Sequence, residues 1–385
     1  MGYDTKIDKI SNYQTIFQLI ISPGQTILQT SVSCISLSLH SHQYQPMILL
    51  TGGTGLLGSH LLLDLITAGH KVRATKRATG NTEMVRRVFS YYTSNPDELA
   101  GKIEWVNADL LDFGAIEDAM AGISEVYHAG AVVSFYPQDH NKMLKVNIEG
   151  TANLVNQAIE SGVKKFCCVS SIATLGRAEN NEVSTEETYW VPSKKNSVYG
   201  ISKYGAEREV WRGMEEGLNA VIINPSVILG PGFWNENSGL FRLVSEGLKF
   251  YTRGVNGYVG VRDVSRAMIG LMDENHFGQR FICSAANLSY QELFILIAKH
   301  LGKPAPFFNV PPAMTSIAWR VEAVRAFITG SKPEVTREMA TTTAQVYTYS
   351  SEKLQNALGF KFQPVEETIR EVCEVYGRER GGSRE

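Results

Sequence analysis

The chain has 385 residues, 43% of them hydrophobic and 20% charged, enough to bury one large core or two closely packed ones. Its formal net charge of −2 and pI near 6.5 give no general electrostatic pull toward nucleic acid or an anionic membrane. The five cysteines (Cys34, Cys167, Cys168, Cys283 and Cys373) show no CxxC pair or Cys/His ligand spacing, so no metal is expected and a reduced, cytoplasmic protein is the simplest account.

Residues 1–46 are rich in Ser, Gln, Thr and Ile and show no sustained periodicity. Lys6 and Lys9 precede an apolar patch at 16–21, but Gln18 interrupts it and Ser22, Pro23 and Gly24 end it too soon for a secretory signal. No run of about 18 apolar residues occurs anywhere, so no membrane helix is expected. The segment reads as a disordered or artefactual leader before a true start at Met47.

From Met47 onward, short β-rich runs alternate with helical stretches. Strands are expected at 47–51, 71–75, 103–107, 125–128, 165–170, 220–224 and 280–283, with helices including 56–68, 139–160 and 198–216. That alternation implies βαβ units and an α/β fold: a doubly wound, mostly parallel sheet covered by helices on both faces. After about residue 225 the pattern loosens and Pro, Gly and aromatics increase. Residues 47–225 are therefore read as a dinucleotide-binding domain. Residues 226–385 are read as mainly a smaller substrate lobe, with some segments returning to the sheet and a last helix near 365–376.

The first strand runs into Thr51-Gly52-Gly53-Thr54-Gly55-Leu56-Leu57-Gly58. Gly53, Gly55 and Gly58 satisfy GxGxxG, and Gly52, Gly55 and Gly58 the looser GxxGxxG. Glycine is needed here because the turn is tight, a pyrophosphate must approach the backbone, and the helix must pack near its strand. Leu56 and Leu57 open the helix and offer backbone N–H groups to phosphate. Gly69 is the expected C-cap. At the end of the second strand an NAD site usually has an acid for the adenine ribose. This chain has Lys76 and Arg77 instead, with no carboxylate before Glu83. Those cations suit a 2′-phosphate, so NADP is favoured and NAD stays open.

Tyr199 and Lys203 form YxxxK at the start of a predicted helix, where residues four apart share a face. A tyrosine ordinarily titrates near ~10. A nearby cation favours the phenolate, so Tyr199 can exchange a proton with a carbonyl or alcohol oxygen. Upstream, the apolar strand 165–170 ends in Ser170 and Ser171, at the sheet edge where such folds bind ligands. One of these hydroxyls can hydrogen-bond the substrate oxygen.

With the glycine loop, the serine strand end and YxxxK in this order, the chain resembles the extended short-chain dehydrogenase/reductase family, within the NAD-dependent epimerase/dehydratase superfamily. The likeness spans Met47 to about Tyr376. It includes Asn107-Ala108-Asp109, His128-Ala129-Gly130-Ala131, Asn147 in Val-Asn-Ile-Glu-Gly-Thr, Asn224-Pro225-Ser226 and Val261-Arg262-Asp263-Val264. The resemblance implies that Asp109 and its neighbour Leu110 meet the adenine and that Ala129, Gly130 and Ala131 line the cofactor. Asn147 would hold the catalytic helix, Ser171 rather than Ser170 would be the catalytic hydroxyl, Tyr199 the acid/base, and Lys203 the ligand of the nicotinamide ribose. Asn224 and Ser226 complete the expected cofactor contacts, and Asp263 looks structural.

Within the family, Val-Arg-Ala-Thr-Lys-Arg and Val-Ser-Ser look most like dihydroflavonol-reductase-type carbonyl reductases, in which an arginine at the place of Arg77 meets the NADP phosphate. Asn224 stands where an arginine often precedes the proline, a feature closer to sugar-nucleotide epimerases. The Thr-Asp-Glu of dehydratases is missing, because Ile172 and Ala173 follow Ser171. The expected reaction is hydride transfer between NADP(H) and a carbonyl or secondary alcohol of a small molecule. An NAD-linked sugar-nucleotide epimerase and a non-catalytic cofactor sensor are the alternatives. Phe233, Trp234 and Tyr251 would line an apolar pocket or belong to the core, and Arg242 or Arg253 would suit a nucleotide diphosphate. No nucleic-acid or membrane partner is expected. Family members often dimerise through the helices corresponding to 139–160 and 198–216, so a homodimer is the expected assembly.

Overall fold

Strand β1 (Met47–Thr51) is apolar along its whole length because both of its faces are covered. Ile48 and Leu50 enter one core cluster and Leu49 the opposite one, as the two-residue period of a strand requires. A computed structural model describes residues 46–176, 182–193, 196–234, 239–311 and 336–381, with isolated positions between 312 and 335. Residues 1–45 of the expected leader lie outside the described residues.

Helix α1 (Leu56–Thr67) follows the glycine loop and is buried along most of its length. It ends in a Schellman turn: Gly69 has φ +86, its N–H reaches the Ile66 carbonyl and that of His70 the Leu65 carbonyl, both at 3.0 Å. Strand β2 (Lys71–Lys76), helices α2 (Thr82–Ser90) and α3 (Pro96–Ala100), and strand β3 (Ile103–Asn107) come next. Helix α4 (Phe113–Met120), capped by the Asp112 carboxylate, leads to β4 (Ile123–His128). Helix α5 (His140–Glu160), β5 (Lys165–Val169), α6 (Val198–Glu215) and β6 (Ala220–Pro225) complete the alternation.

The main sheet has a seventh strand from further along the chain, β10, whose range is Gln279–Cys283. All neighbours are parallel, in the order β10-β6-β5-β4-β1-β2-β3. Connections run outward in both directions from β1 and β4, which makes the carboxyl edge between them the topological switch point where such sheets bind ligands. The expected doubly wound α/β fold is what the chain forms. Strand β5 stops at Val169, one residue before the expected end. The Ser170 N–H still bonds the Ile223 carbonyl at 2.7 Å, but its side chain has turned to a buried carboxylate.

After Pro225 the chain leaves the sheet. Strands β7 (Val227–Leu229), β9 (Val255–Gly260) and β11 (Ala286–Ser289) form a small mixed sheet, and β8 (Phe250–Tyr251) pairs with β12 (Phe308–Asn309). Helices α7 (Gly239–Ser245) and α9 (Tyr290–Leu301) pack with the C-terminal helix Val365–Gly381 around a third core that includes Phe241, Tyr258, Leu293 and Ile369. The last helix runs to Gly381, beyond the expected end near 376, because Glu379 near its end accepts from Trp234 Nε1, Tyr91 and Arg87. Helix α8 (Val261–Asp273) returns to cover the main sheet with α1. Among the described residues no helix is long and apolar enough to cross a membrane.

Candidate active site

The glycine loop is shaped by what its residues lack. Gly52 has φ +76, and a Cβ there would fall 2.6 Å from the Gly130 nitrogen and 2.7 Å from the Ala129 oxygen. A Cβ on Gly58 would fall 2.1 Å from the Gly52 oxygen, so the first turn of α1 can sit on the loop only without a side chain. Gly55 differs. A Cβ there would meet nothing closer than the Gly52 oxygen at 3.4 Å, so its face of the loop is open. No side chain caps α1 and no acid lies in its first turn. An open glycine face before an uncapped helix N-terminus fits the diphosphate of a dinucleotide.

At the end of β2, Lys76 is half-buried and Arg77 exposed, and neither has a carboxylate partner among the described residues. Asp109 is exposed beyond β3, and its Oδ1 accepts the Leu111 N–H at 3.0 Å. Leu110 packs beneath α5, where a Cβ on Gly150 would come within 2.7 Å of it. Ala129, Gly130 and Ala131 continue β4 across the switch point, with Ala129 N–H on the Thr51 carbonyl at 3.2 Å.

The catalytic candidates lie on the same edge. Ser197 caps α6 by accepting the Gly200 N–H at 2.9 Å, which puts Tyr199 in the first helical turn. There the partial positive end of the helix favours a phenolate. Burial pushes Tyr199 above the usual tyrosine range, and the nearby Ser171 side chain opposes that shift. Ser171 Oγ also accepts the Ala173 N–H at 3.1 Å and caps a short 3-10 turn, Ile172–Thr174. Of the two neighbouring serines, Ser171 meets the tyrosine and Ser170 does not.

Lys203 is buried one turn further along α6, and Nζ donates to the Val169 carbonyl at 2.6 Å. Burial pulls it below the usual lysine range, with the nearby Cys168 and the Glu207 carboxylate opposing. The sequence places this ammonium beside the phenol; the structure engages it with the end of β5. Asn147 on α5 grips the loop after β4 through the Val132 N–H (2.7 Å) and carbonyl (2.9 Å), and donates to Ser202 Oγ at 3.0 Å.

Two of the expected cofactor contacts also bond within the protein. The Asn224 amide is wholly buried and donates to the Ser171 carbonyl (3.1 Å), Thr174 Oγ1 (2.9 Å) and Glu207 Oε2 (3.0 Å). Ser226 is buried at the join of β6 and β10, its N–H on the Cys283 carbonyl at 3.0 Å. Both belong to the floor of the site because β6 is covered on both faces here. Phe233, Trp234 and Tyr251 pack against core clusters. Arg242 lies 3.7 Å from Glu246, just past the end of its helix, and Arg253 is exposed.

Glu207 was not singled out from sequence. Its Oε2 accepts from Ser170 (2.6 Å), Thr174 (2.7 Å) and Asn224, while Oε1 faces Arg280 Nη1 at 3.0 Å. A buried carboxylate requires such complete satisfaction. Its signal was present: Tyr199, Lys203 and Glu207 repeat at four-residue intervals on one face of α6.

Residues 48–279 match the NAD dependent epimerase/dehydratase family. The chain is 26% identical over 292 residues to a dihydroflavonol 4-reductase of Arabidopsis thaliana, covering 72% of this chain and 74% of that protein. It is 25% identical over 340 residues to cinnamoyl-CoA reductase 1 of Petunia hybrida, covering 85% and 90%. The crystal structure of gox2253 superposes with a TM-score of 0.71 at 28% identity, covering 87% of this chain and 98% of that one. The chain belongs to the NAD dependent epimerase/dehydratase family and is an NAD(P)-dependent oxidoreductase of the extended short-chain dehydrogenase/reductase type.

Proposed function

We propose that this enzyme transfers hydride between NADP(H) and the carbonyl or secondary alcohol of a small molecule, with Ser171, Tyr199 and Lys203 as its reacting site. The observation that carries the reading is that Tyr199, on the first turn of a helix, and Lys203, one turn on and bonded to the end of β5, meet the Ser171 strand end at the carboxyl edge of the sheet. The reductases among its relatives support a carbonyl substrate.

A nicotinamide held at this edge would supply hydride to the substrate carbon in reduction and accept it in oxidation. Ser171 donates a hydrogen bond to the substrate oxygen and holds it beside Tyr199. In reduction the Tyr199 O–H gives its proton to that oxygen as charge develops there, and the product is an alcohol. In oxidation the phenolate takes the same proton back. Lys203, anchored by the Val169 carbonyl, turns its remaining N–H groups to the nicotinamide ribose. Gly52, Gly55 and Gly58 with the N–H groups of Leu56 and Leu57 bind the diphosphate. Lys76 and Arg77 take the 2′-phosphate, and Asp109 lies by the adenine. The reading includes residues 226–385 as mainly substrate lobe, a cytoplasmic setting, and a homodimer through α5 and α6.

The epimerase alternative drew on Asn224. That amide bonds Glu207 in the floor of the site, and the reductase reading is supported instead by the reductases among the relatives. Denaturing natively purified protein and identifying the released nucleotide by mass spectrometry tests the choice. NADP, or an empty site that binds NADPH far better than NADH, is expected. Stoichiometric NAD would overturn the NADP reading and favour the epimerase.

A further inference from the structure

One wholly buried imidazole spans the two halves of the edge. His128 ends β4 with Nδ1 2.7 Å from Thr51 Oγ1 and Nε2 3.0 Å from Thr151 Oγ1. Counting protons fixes the directions. The single Thr151 hydroxyl proton goes to the Asn147 carbonyl at 2.6 Å, so Thr151 must accept from His128 and the ring proton sits on Nε2. Nδ1 then accepts from the Thr51 hydroxyl, whose oxygen accepts the Gly130 N–H at 3.2 Å. Every donor in this chain has one acceptor. Burial, and then the Lys203 charge, hold His128 down at about 3, so the ring is neutral at ordinary pH as that pattern requires.

The two ends of the chain lead to different parts of the site. Thr51 directly precedes Gly52, and Gly130 is the residue that a Cβ on Gly52 would strike. Thr151 lies one turn from Asn147 on α5. The Asn147 side chain reaches Ser202, whose hydroxyl donates to the Tyr199 carbonyl at 2.8 Å. We infer that His128 is a positioning residue that fixes the glycine loop and the catalytic helix relative to one another through its two ring nitrogens. This rests on the reading of the edge as a dinucleotide-dependent reductase site.

Amide variants separate the two nitrogens. His128→Asn keeps an acceptor where Nδ1 stood and loses the Nε2 donor; His128→Gln reaches the Nε2 position and loses the Nδ1 acceptor. His128→Asn should lower kcat at saturating cofactor by about tenfold, with the smaller change in the NADPH Kd. His128→Gln should raise that Kd by about tenfold, with the smaller change in kcat. Should either variant fail to fold, Thr151→Val and Thr51→Val remove the same two bonds singly and should reproduce the same split. Fluorescence titration with NADPH needs no substrate, so it reads the cofactor half by itself. If kcat and Kd move together in every variant, or neither moves, while the wild type binds and turns over, the inference is overturned and the reductase reading stands. If the wild type binds no NADPH, both fall. If it binds but reduces no carbonyl, the reductase reading fails alone, and an unchanged Kd in His128→Gln and Thr51→Val would still sink the inference.

Discussion

The two halves of the binding edge are built on opposite principles. On the β1–β2 side the working features are gaps: missing Cβ atoms at Gly52, Gly55 and Gly58, an uncapped helix start, and two cations without carboxylate partners among the described residues. On the β5–β6 side the working features are filled: Ser170, Thr174, Asn224 and Arg280 all converge on the Glu207 carboxylate beneath Ser171 and Tyr199. A surface that must accept a phosphate needs room and unspent donors. A surface that must hold a proton donor to within a fraction of an ångström needs fixed neighbours. The difference teaches that the same sheet edge can carry both demands because they fall on different strands.

The filled side should be the more costly to break. Glu207→Ala leaves the half-buried Arg280 without its carboxylate and takes an acceptor from Ser170, Thr174 and Asn224, so we expect a loss on the order of 3–5 kcal/mol. Chemical unfolding of the variant would measure it, and a loss below about 1 kcal/mol would mean that the network is ornamental.

On the open side, two neighbouring glycines should separate packing from binding. Gly58→Ala drives a methyl into the Gly52 carbonyl and should cost about 1–3 kcal/mol or more of stability. Gly55→Ala meets only ordinary contact distances and should fold like the wild type, yet weaken NADPH binding by closing the open face. Thermal denaturation with and without NADPH distinguishes them. Equal stability losses would erase the contrast.

The pH dependence sharpens the comparison further. The buried His128 has its folded-state value depressed from 6.5 to about 3. Below 6.5 the unfolded chain binds a proton that the folded chain refuses, so stability is full above that value and falls as the solution is acidified. From about pH 7 to pH 5 this one group should remove on the order of 2 kcal/mol. Urea titrations at both values should show a smaller drop in His128→Gln. The same drop in both proteins would place the acid sensitivity elsewhere.

Legibility in the sequence followed the same division. The main-sheet strands were expected within about two residues of their ends, because parallel strands buried on both faces are plainly apolar. The glycine loop was legible because a missing side chain leaves a local signature: Gly52, Gly55 and Gly58 lie within seven residues. YxxxK was legible for a similar reason, since helical spacing brings Tyr199 and Lys203 to one face. The floor was not. Asn224 sits 53 positions from the Ser171 carbonyl and Arg280 sits 73 from Glu207, and no local pattern announces pairs that only the strand order brings together. The Asn224 and Ser226 side chains also enter such long-range pairings. The small strands β7, β8, β9, β11 and β12 were missed because they are short and interrupted by Gly and aromatics.

The central claim is that Tyr199 moves the proton. Tyr199→Phe keeps the ring, its packing against Phe135 and the helix, and removes only the hydroxyl. Turnover of a carbonyl substrate should fall by about 10²–10⁴-fold, while NADPH titrates with the wild-type Kd. Turnover near the wild-type rate in a variant that still binds NADPH would contradict the account.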